Sequence, residues 1–371
     1  MLMPANEIEL AEAVRSAAGA LVIRGGGTRS IGRAVAGEVL SVAGLSGITL
    51  HEPGALTLVA RAGTPLAEVE AMLAQAGQRL AFEPMDHRPL LGTTGTPTIG
   101  AVVAANVAGP RRVQVGSARD FLLGLRCVTG SGEVVKSGGR VMKNVTGYDL
   151  ARLIAGSFGT LAVISEVALK VLPRVEAAAT LAIPGLDPAQ SVAAMSAALG
   201  SPFEVTGAAH DPEAENTYLR IEGFSESVRY RAGRLAGLLL PFGVAAITHD
   251  QAEVQGRWDG IRDVTGFAGR KGDVWRISVK PSDAPEITAA ARMPFRYDWG
   301  GGLIWILAPE GTDLRARIGR FTGHATLIRA DAATRAAIAT FHPEAPAVAA
   351  LSRGLRARFD PHAILNPGLM G

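Results

Sequence analysis

"ALVIRGGGTRSIGR", residues 20–33, sets a short apolar run, Leu21-Val22-Ile23, against a basic residue and three successive glycines. The apolar run predicts a strand. Glycine has no Cβ, so a turn of three glycines lets main-chain amides face an anion from conformations that other residues avoid. Two readings stay open on these residues alone: a phosphate-binding turn and a tight structural turn. Neither common nucleotide fingerprint applies. A dinucleotide GxGxxG turn needs glycine where Ser30 stands, and no acidic residue follows at the expected distance. The GxxxxGK[ST] loop is missing as well.

Outward from this turn, helices and strands mix without a regular βαβ alternation, which predicts an α+β fold. "NEIELAEAVRSAAGA" reads as a helix capped by Asn6. "ALTLVARAGTPLAEVEAMLAQAGQRL" reads as a strand, a turn, and a helix that Thr64 caps, Pro65 opens and Gly77 ends. "GLRCVTGSGEVVKSG" reads as two strands about a Gly-Ser-Gly turn, and "YDLARLIAGSFG" as a short helix. "TLAVISEVALKVLP" is a long strand pattern stopped at Pro173. Beyond it the texture changes to strand, helix, strand, predicting a second, smaller α+β domain over residues 174–330. The tail, 331–371, joins an amphipathic helix to a proline-containing end.

Composition narrows the function. Hydrophobic residues make up 48% of the 371 and charged residues 19%, which provides for a large core and argues against global disorder. Basic and acidic residues nearly balance, 37 against 34. No Lys/Arg run with interleaved aromatics occurs, so nucleic acid is not an expected partner. Cys127 is the single cysteine, which excludes an intramolecular disulfide, a CxxC redox or zinc site and a four-thiolate cluster. At the end of an apolar run it reads as a buried structural thiol. If the chain carries out redox chemistry, the electrons must therefore sit on an organic cofactor and leave through another molecule. Glu7, Glu9 and Glu12 are out of place in a signal or transit peptide. The longest apolar stretch, "LAGLLLPFGVAAI", is broken by Gly and Pro and falls short of the ~20 residues a spanning helix needs. The expectation is a cytoplasmic protein with no transmembrane segment, any membrane contact being made through partner subunits.

Two later segments belong with the glycine turn. "TPTIGAVVAANVAGPRRVQVGSARDFLLG" (96–124) alternates small residues with glycine, so its main chain suits a large flat ligand. Arg111 and Arg112 within it suit a phosphate or an acidic partner; a Gly-rich connecting loop is the plainer reading. "GGRVMKNVTGYDLARLIAGSFGTLAVISEVALKVLP" (138–173) carries a Gly-bounded turn, "AGSFGT", before a strong strand. In this order the three segments resemble the FAD-binding domain of the vanillyl-alcohol oxidase and p-cresol methylhydroxylase type. That family shows "RGGGT" after a strand, then "TIGG…N…G…GS.RD.vLG", then "GY(D/N)L…GSEGTLG(I/V)IT". The matching residues are 24–28, 98–124 and 147–165, and "FDPHAILNPG" (359–368) resembles the closing signature. More narrowly, "FEPMD" (82–86), "AGPRR" (108–112), "GSARDFLLG", "VMKNVTGYDL" and "KVLPR" (170–174) resemble the FAD-binding subunits of bacterial glycolate oxidases.

The resemblance implies a two-subdomain FAD-binding domain of the p-cresol methylhydroxylase type over 1–173, divided near residue 50. It adds a cap over 174–330 and a tail, 331–371, returning to the FAD domain. Its implied cofactor is FAD. Arg24, Gly25, Gly26, Gly27, Thr28 and Arg29 would surround the pyrophosphate. Pro84, Thr98, Gly100, Asn106 and Gly109 would line the flavin and its ribityl chain, Ser117 and Asp120 continuing that wall. Gly156, Gly159 and Ile164 would stand at the pyrimidine edge. Covalently linked members place a His after the glycines; Thr28 and Arg29 stand there instead, so the FAD is expected to be held without a covalent bond.

The implied activity is oxidation of glycolate, or a similar 2-hydroxy acid, to glyoxylate within a complex. The implied partners are a larger FAD-binding catalytic subunit and an iron–sulfur subunit that takes the electrons. Two alternatives stand beside it: a non-catalytic FAD-binding assembly subunit, and a stand-alone flavin oxidoreductase. The chain departs from the pattern at Ala101, Phe158 and Ala162. It also lacks the "H.GDGN.H" segment with which longer members bind a metal, so no metal site is expected, and His210, His249 and His324 read as isolated structural residues. Arg220, Arg276, Lys280 and Arg296 read as carboxylate clamps or, more plainly, as surface charge. No residue presents itself as the catalytic base.

Overall fold

The computed structural model describes residues 1–140 and 148–370. The "VMKNVTG" part of the third segment, 141–147, lies outside the described residues. The chain forms two compact units. The first comprises 1–108, 116–174 and 343–371; the second comprises 109–115 and 175–342.

The first unit opens with helix Glu7–Arg15, whose cap is Asn6: its side chain accepts from the Glu9 amide at 2.9 Å. Leu10, Ala11 and Val14 recur at helical spacing and are buried. Strand β1 (Leu21–Arg24) pairs in parallel with β2 (Glu38–Ser41). Then follow β3 (Ile48–Glu52), β4 (Thr57–Arg61), β5 (Gln78–Arg79), β6 (Leu122–Thr129), β7 (Val134–Gly138), β8 (Ala162–Lys170) and β9 (Leu172–Pro173). Five of these form an antiparallel sheet in the order β3-β4-β8-β6-β7, and β5 pairs with β9. The Gly-Ser-Gly hairpin is the β6–β7 turn, and the long strand pattern is β8. Cys127 is fully buried on β6, and burial pushes its thiol up to about 12, so it is an inert core group.

One expected cap is corrected. The second helix starts at Leu66 with Pro65 as its cap residue. Thr64 is fully buried instead, its hydroxyl accepting from the Gly47 amide at 3.0 Å and donating to the Arg61 carbonyl at 2.7 Å. A distant amide in need of a partner captured the hydroxyl that local spacing assigned to the helix.

The second unit is built on one antiparallel sheet. Its strands are β10 (Ala177–Pro184), β11 (Val205–Asp211), β12 (Asn216–Gly223), β13 (Ala246–Thr248), β14 (Asp273–Val279), β15 (Phe295–Asp298), β16 (Leu303–Ala308) and β17 (Gly323–Arg329). Their order is β13-β10-β12-β11-β15-β16-β14-β17. One face carries the main core, with Leu181, Leu219, Trp275, Ile304 and Leu327 fully buried among residues of the helices at 188–199, 225–238 and 284–291. Strand alternation leaves Arg220, Arg276, Arg296 and Trp305 to the opposite face.

Candidate cofactor site

The glycine turn leaves β1 at Arg24 and meets residues 95–98 main chain against main chain. A Cβ on Gly26 would stand 1.5 Å from the Thr96 carbonyl oxygen, and one on Gly95 would stand 1.7 Å from that of Gly26. Gly27 takes a φ of +72°, in the left-handed region that favours glycine. A Cβ on Gly25 would lie 2.6 Å from Thr98 Oγ1. That hydroxyl is buried and has no hydrogen-bond partner. An unmet buried hydroxyl is costly, and this one stands beside the turn where a ligand oxygen would complete it.

Arg29 repeats the pattern. Its Nε donates to His87 Nδ1 and its Nη2 to the Met85 carbonyl, both at 3.2 Å, while Nη1 is buried without a partner. Burial draws the guanidinium down to about 10 against the opposing pull of the Asp86 carboxylate, so it stays charged at neutral pH. Pro84 is buried within the same stretch, and the Thr28 carbonyl accepts from Thr93 Oγ1 at 3.2 Å. One cation, one orphaned hydroxyl and a glycine turn are a donor set suited to the pyrophosphate of FAD. Met85, His87 and Gly95 were not singled out from the sequence; "FEPMD" was the signal that pointed near them.

The remaining residues expected at the flavin form a second group. The Gly100 amide donates to the Ala62 carbonyl at 2.9 Å, and a Cβ there would lie 2.5 Å from Ala62 Cβ, so close packing on the β4 turn demands this glycine. Asn106, at φ +47°, accepts from the Arg119 amide at 2.9 Å. Asp120 Oδ2 accepts from both the amide and the hydroxyl of Ser117 at 2.8 Å. The Gly156 and Phe158 amides donate to the Val103 and Ala104 carbonyls at 3.1 and 2.9 Å, which sets the "AGSFGT" turn on the end of helix Ile99–Ala104. Ile164 is buried in β8 opposite Cys127. Asn366, missed as an individual residue although it lies in "FDPHAILNPG", joins these parts. Its Oδ1 accepts from the Ile23 amide at 2.8 Å and its Nδ2 donates to the Phe158 carbonyl at 2.9 Å.

Gly109 is grouped differently from the other expected flavin residues. It belongs to the second unit, where its carbonyl accepts from Trp299 Nε1 at 3.0 Å. The next residues of "AGPRR" anchor there too. Arg111 and Glu222 form a buried ion pair, and Arg220 Nε lies 3.5 Å from the same carboxylate. The surface-charge reading is corrected for three of the four cationic residues and holds for Lys280. Arg220 is buried and stacks on Trp258 at 4.6 Å. Arg296 is engaged by Asp211 and Glu213. Arg276 is half-buried. Lys280 is exposed and pairs with Asp283 at 3.2 Å.

The second unit also holds a cavity of about 310 Å³ lined by His210, Tyr218, Arg257, Arg296 and Trp305. His210 is buried; its Nδ1 lies 3.0 Å from Thr217 Oγ1 and its Nε2 has no partner. Desolvation draws its imidazole down to about 4. An unfolded histidine titrates near 6.5, so between the two values the unfolded chain binds a proton that the folded chain refuses. Stability of this unit is therefore full above about pH 6.5 and falls as the pH drops toward 4, by roughly 2–3 kcal/mol. Urea unfolding at pH 7 and pH 4.5 measures the loss, and His210→Gln reduces it. An unchanged pH slope in the variant would remove His210 as its source.

Among the described residues, no three His, Cys, Asp or Glu side chains gather into a group able to hold a metal ion. Nor, among these residues, is any helix long and apolar enough to cross a membrane.

The chain is similar to known flavoproteins. A family profile described as FAD binding domain matches residues 1–138. Glycolate oxidase subunit GlcE of Escherichia coli is 36% identical over 354 residues, 94% of this chain and 92% of the relative. D-lactate dehydrogenase of Archaeoglobus fulgidus is 34% identical over 44% of this chain and 35% of its own length. Glycolate oxidase subunit GlcD of Bacillus subtilis is 40% identical over 23% of this chain and 18% of its own length. Among solved structures, alkyldihydroxyacetonephosphate synthase superposes with a TM-score of 0.71 at 15% identity, covering 98% of this chain and 76% of that one, a likeness of fold. The cofactor is FAD, and the α+β fold is that of the p-cresol methylhydroxylase type.

Proposed function

Because the chain belongs to the GlcE family of glycolate oxidase subunits, we propose that it is the FAD-binding subunit of a multi-subunit glycolate oxidase converting glycolate to glyoxylate. Its partners in this reading are a larger FAD-binding catalytic subunit and an iron–sulfur subunit that receives the electrons. The observation that carries the reading is the pyrophosphate cradle, with Thr98 Oγ1 and Arg29 Nη1 both buried and unpartnered, in a chain whose likeness to GlcE extends over 94% of its length.

Bound FAD supplies a two-electron acceptor for the alcohol carbon. The chain's own part is to hold it. Arg29 and Thr98 bind the pyrophosphate, and the glycines admit it at main-chain distance. With Thr28 and Arg29 where covalent members carry His, the FAD is held by these contacts alone.

Affinity purification of the tagged chain from its native cell tests the proposal. A longer flavoprotein chain and an iron-containing chain co-elute, and acid precipitation releases the yellow colour to the supernatant. A chain that elutes alone contradicts the complex, and colour kept in the pellet contradicts non-covalent binding. Anaerobic glycolate added to the pure chain, freed of its partners, then separates a catalytic from an assembly role: bleaching of its flavin spectrum assigns turnover to this chain, and no bleaching leaves catalysis to the partner.

A further inference from the structure

Arg276 differs from the other cationic residues on the face of the second sheet away from the main core. Its neighbours Trp275 and Ile277 are buried in the main core, so strand alternation sends Arg276 and Ser278 to the opposite face. There Arg276 stands in register with Trp305 of β16 on one side and Thr326 of β17 on the other, and Ser278 stands opposite His324. Its guanidinium lies 5.1 Å from the centroid of the Trp299 ring, and that of Arg112 lies 4.8 Å from the same ring. Trp299 is fixed by two hydrogen bonds, its amide to Asp298 Oδ1 at 2.7 Å and its indole to the Gly109 carbonyl at 3.0 Å.

This arrangement gathers like charges. Burial and the nearby Arg112 draw the Arg276 guanidinium down, against the pull of Asp298. Burial, Arg276, His342 and Arg112 hold the His324 imidazole below its usual value. Arg220, Arg296 and Lys280 each have a carboxylate within ion-pair distance. The Arg276 guanidinium makes no ion pair or hydrogen bond with any described residue, although the residue is half-buried. A fixed guanidinium on an indole face, beside a second guanidinium and an imidazole, lacks only an anion; a planar carboxylate matches its fork.

We propose that Arg276, seated on Trp299 and flanked by Arg112 and His324, anchors a carboxylate-binding site on the second unit that takes a small 2-hydroxy acid. Arg276 forms the paired hydrogen bonds, Arg112 adds charge, and His324 stands at the exposed end of the group. The choice of a 2-hydroxy acid rests on the function proposed above; the anion site itself rests on the side chains.

Titration calorimetry on the full-length, FAD-loaded chain tests it, with glycolate and its inert analogue oxalate as probes and sulfate as a control for non-specific anions. The wild-type chain binds glycolate and oxalate more tightly than sulfate. Arg276→Gln weakens both by at least about tenfold, as expected for a lost charge-assisted pair, and Arg276→Lys recovers part. His324→Ala, at an exposed position, weakens them by a smaller factor, and Lys280→Gln leaves them unchanged. Equal affinities in wild type, Arg276→Gln and His324→Ala overturn the site, as does a wild-type chain that binds neither acid. Oxalate bound through Arg276 by a chain that purifies without partners defeats only the complex; partners present without Arg276-dependent binding defeat only this site.

Discussion

Gly26→Ala abolishes stable FAD binding, lowering affinity by about 100-fold or more. The added Cβ would stand 1.5 Å from the Thr96 carbonyl oxygen. No rotamer relieves that contact, because the backbone fixes the Cβ and its neighbour is a main-chain carbonyl. Either the 24–29 turn or the 95–98 segment must move, and overpacking of this kind costs roughly 1–3 kcal/mol or more. The movement separates the glycine amides from Thr98 and Arg29, the two side chains whose buried donors await an acceptor. Thr98→Ala, which deletes one donor without moving the main chain, lowers affinity by about fivefold to tenfold. Gly19→Ala serves as the control, since nothing lies within 4 Å of its Cβ position. Flavin absorbance of the purified variants and titration of the apoprotein with FAD measure these effects. Wild-type affinity in both Gly26→Ala and Thr98→Ala would falsify the assignment of this turn to the pyrophosphate.

Glu222→Ala destabilises the second unit by about 3–5 kcal/mol, the usual cost of leaving buried charge without its partner. Glu222 is buried with Arg111 and Arg220, and both guanidinium groups are directed at its carboxylate. Arg220 retains Thr206, with Nε 3.2 Å from its hydroxyl, and Arg111 retains Gln114 at 2.9 Å, but neither partner is an anion. The thermal transition of this unit drops by about 10 °C. Arg111→Met combined with Glu222→Met loses less than Glu222→Ala, because it buries no unmatched Arg111 charge. Scanning calorimetry checks both, and a shift under about 2 °C for Glu222→Ala would show that solvent reaches these groups.

Features set by neighbours in the chain were legible in advance. Asn6 caps its helix, because an amide three residues on is always within reach of its side chain. The β6–β7 hairpin and β8 follow from apolar runs bounded by turn residues. The glycine turn was legible as a close approach of main chain, but not what it approaches. Thr64 was misassigned because Gly47, seventeen residues earlier, takes its hydroxyl. Arg29 carried no sign of His87 or Met85, 58 and 56 residues away.

The second unit makes the division plainer. "AGPRR" was conspicuous in the sequence, and an acidic partner was one reading of its arginines. That the partner is Glu222, 111 residues on, depends on which strands become neighbours. Arg276 looked like any surface cation until Trp299, Arg112 and His324 were brought around it. Helix caps, hairpins and the glycine turn were readable from the sequence, because steric limits and hydrogen bonds of the main chain are met largely within a few residues; the cofactor was readable only through the resemblance of three separated segments to a known family. Tertiary structure alone decided which charges are neutralised and which are left waiting for a ligand. Burial and opposite charge are properties of surfaces that meet, and those surfaces come from segments far apart in the chain.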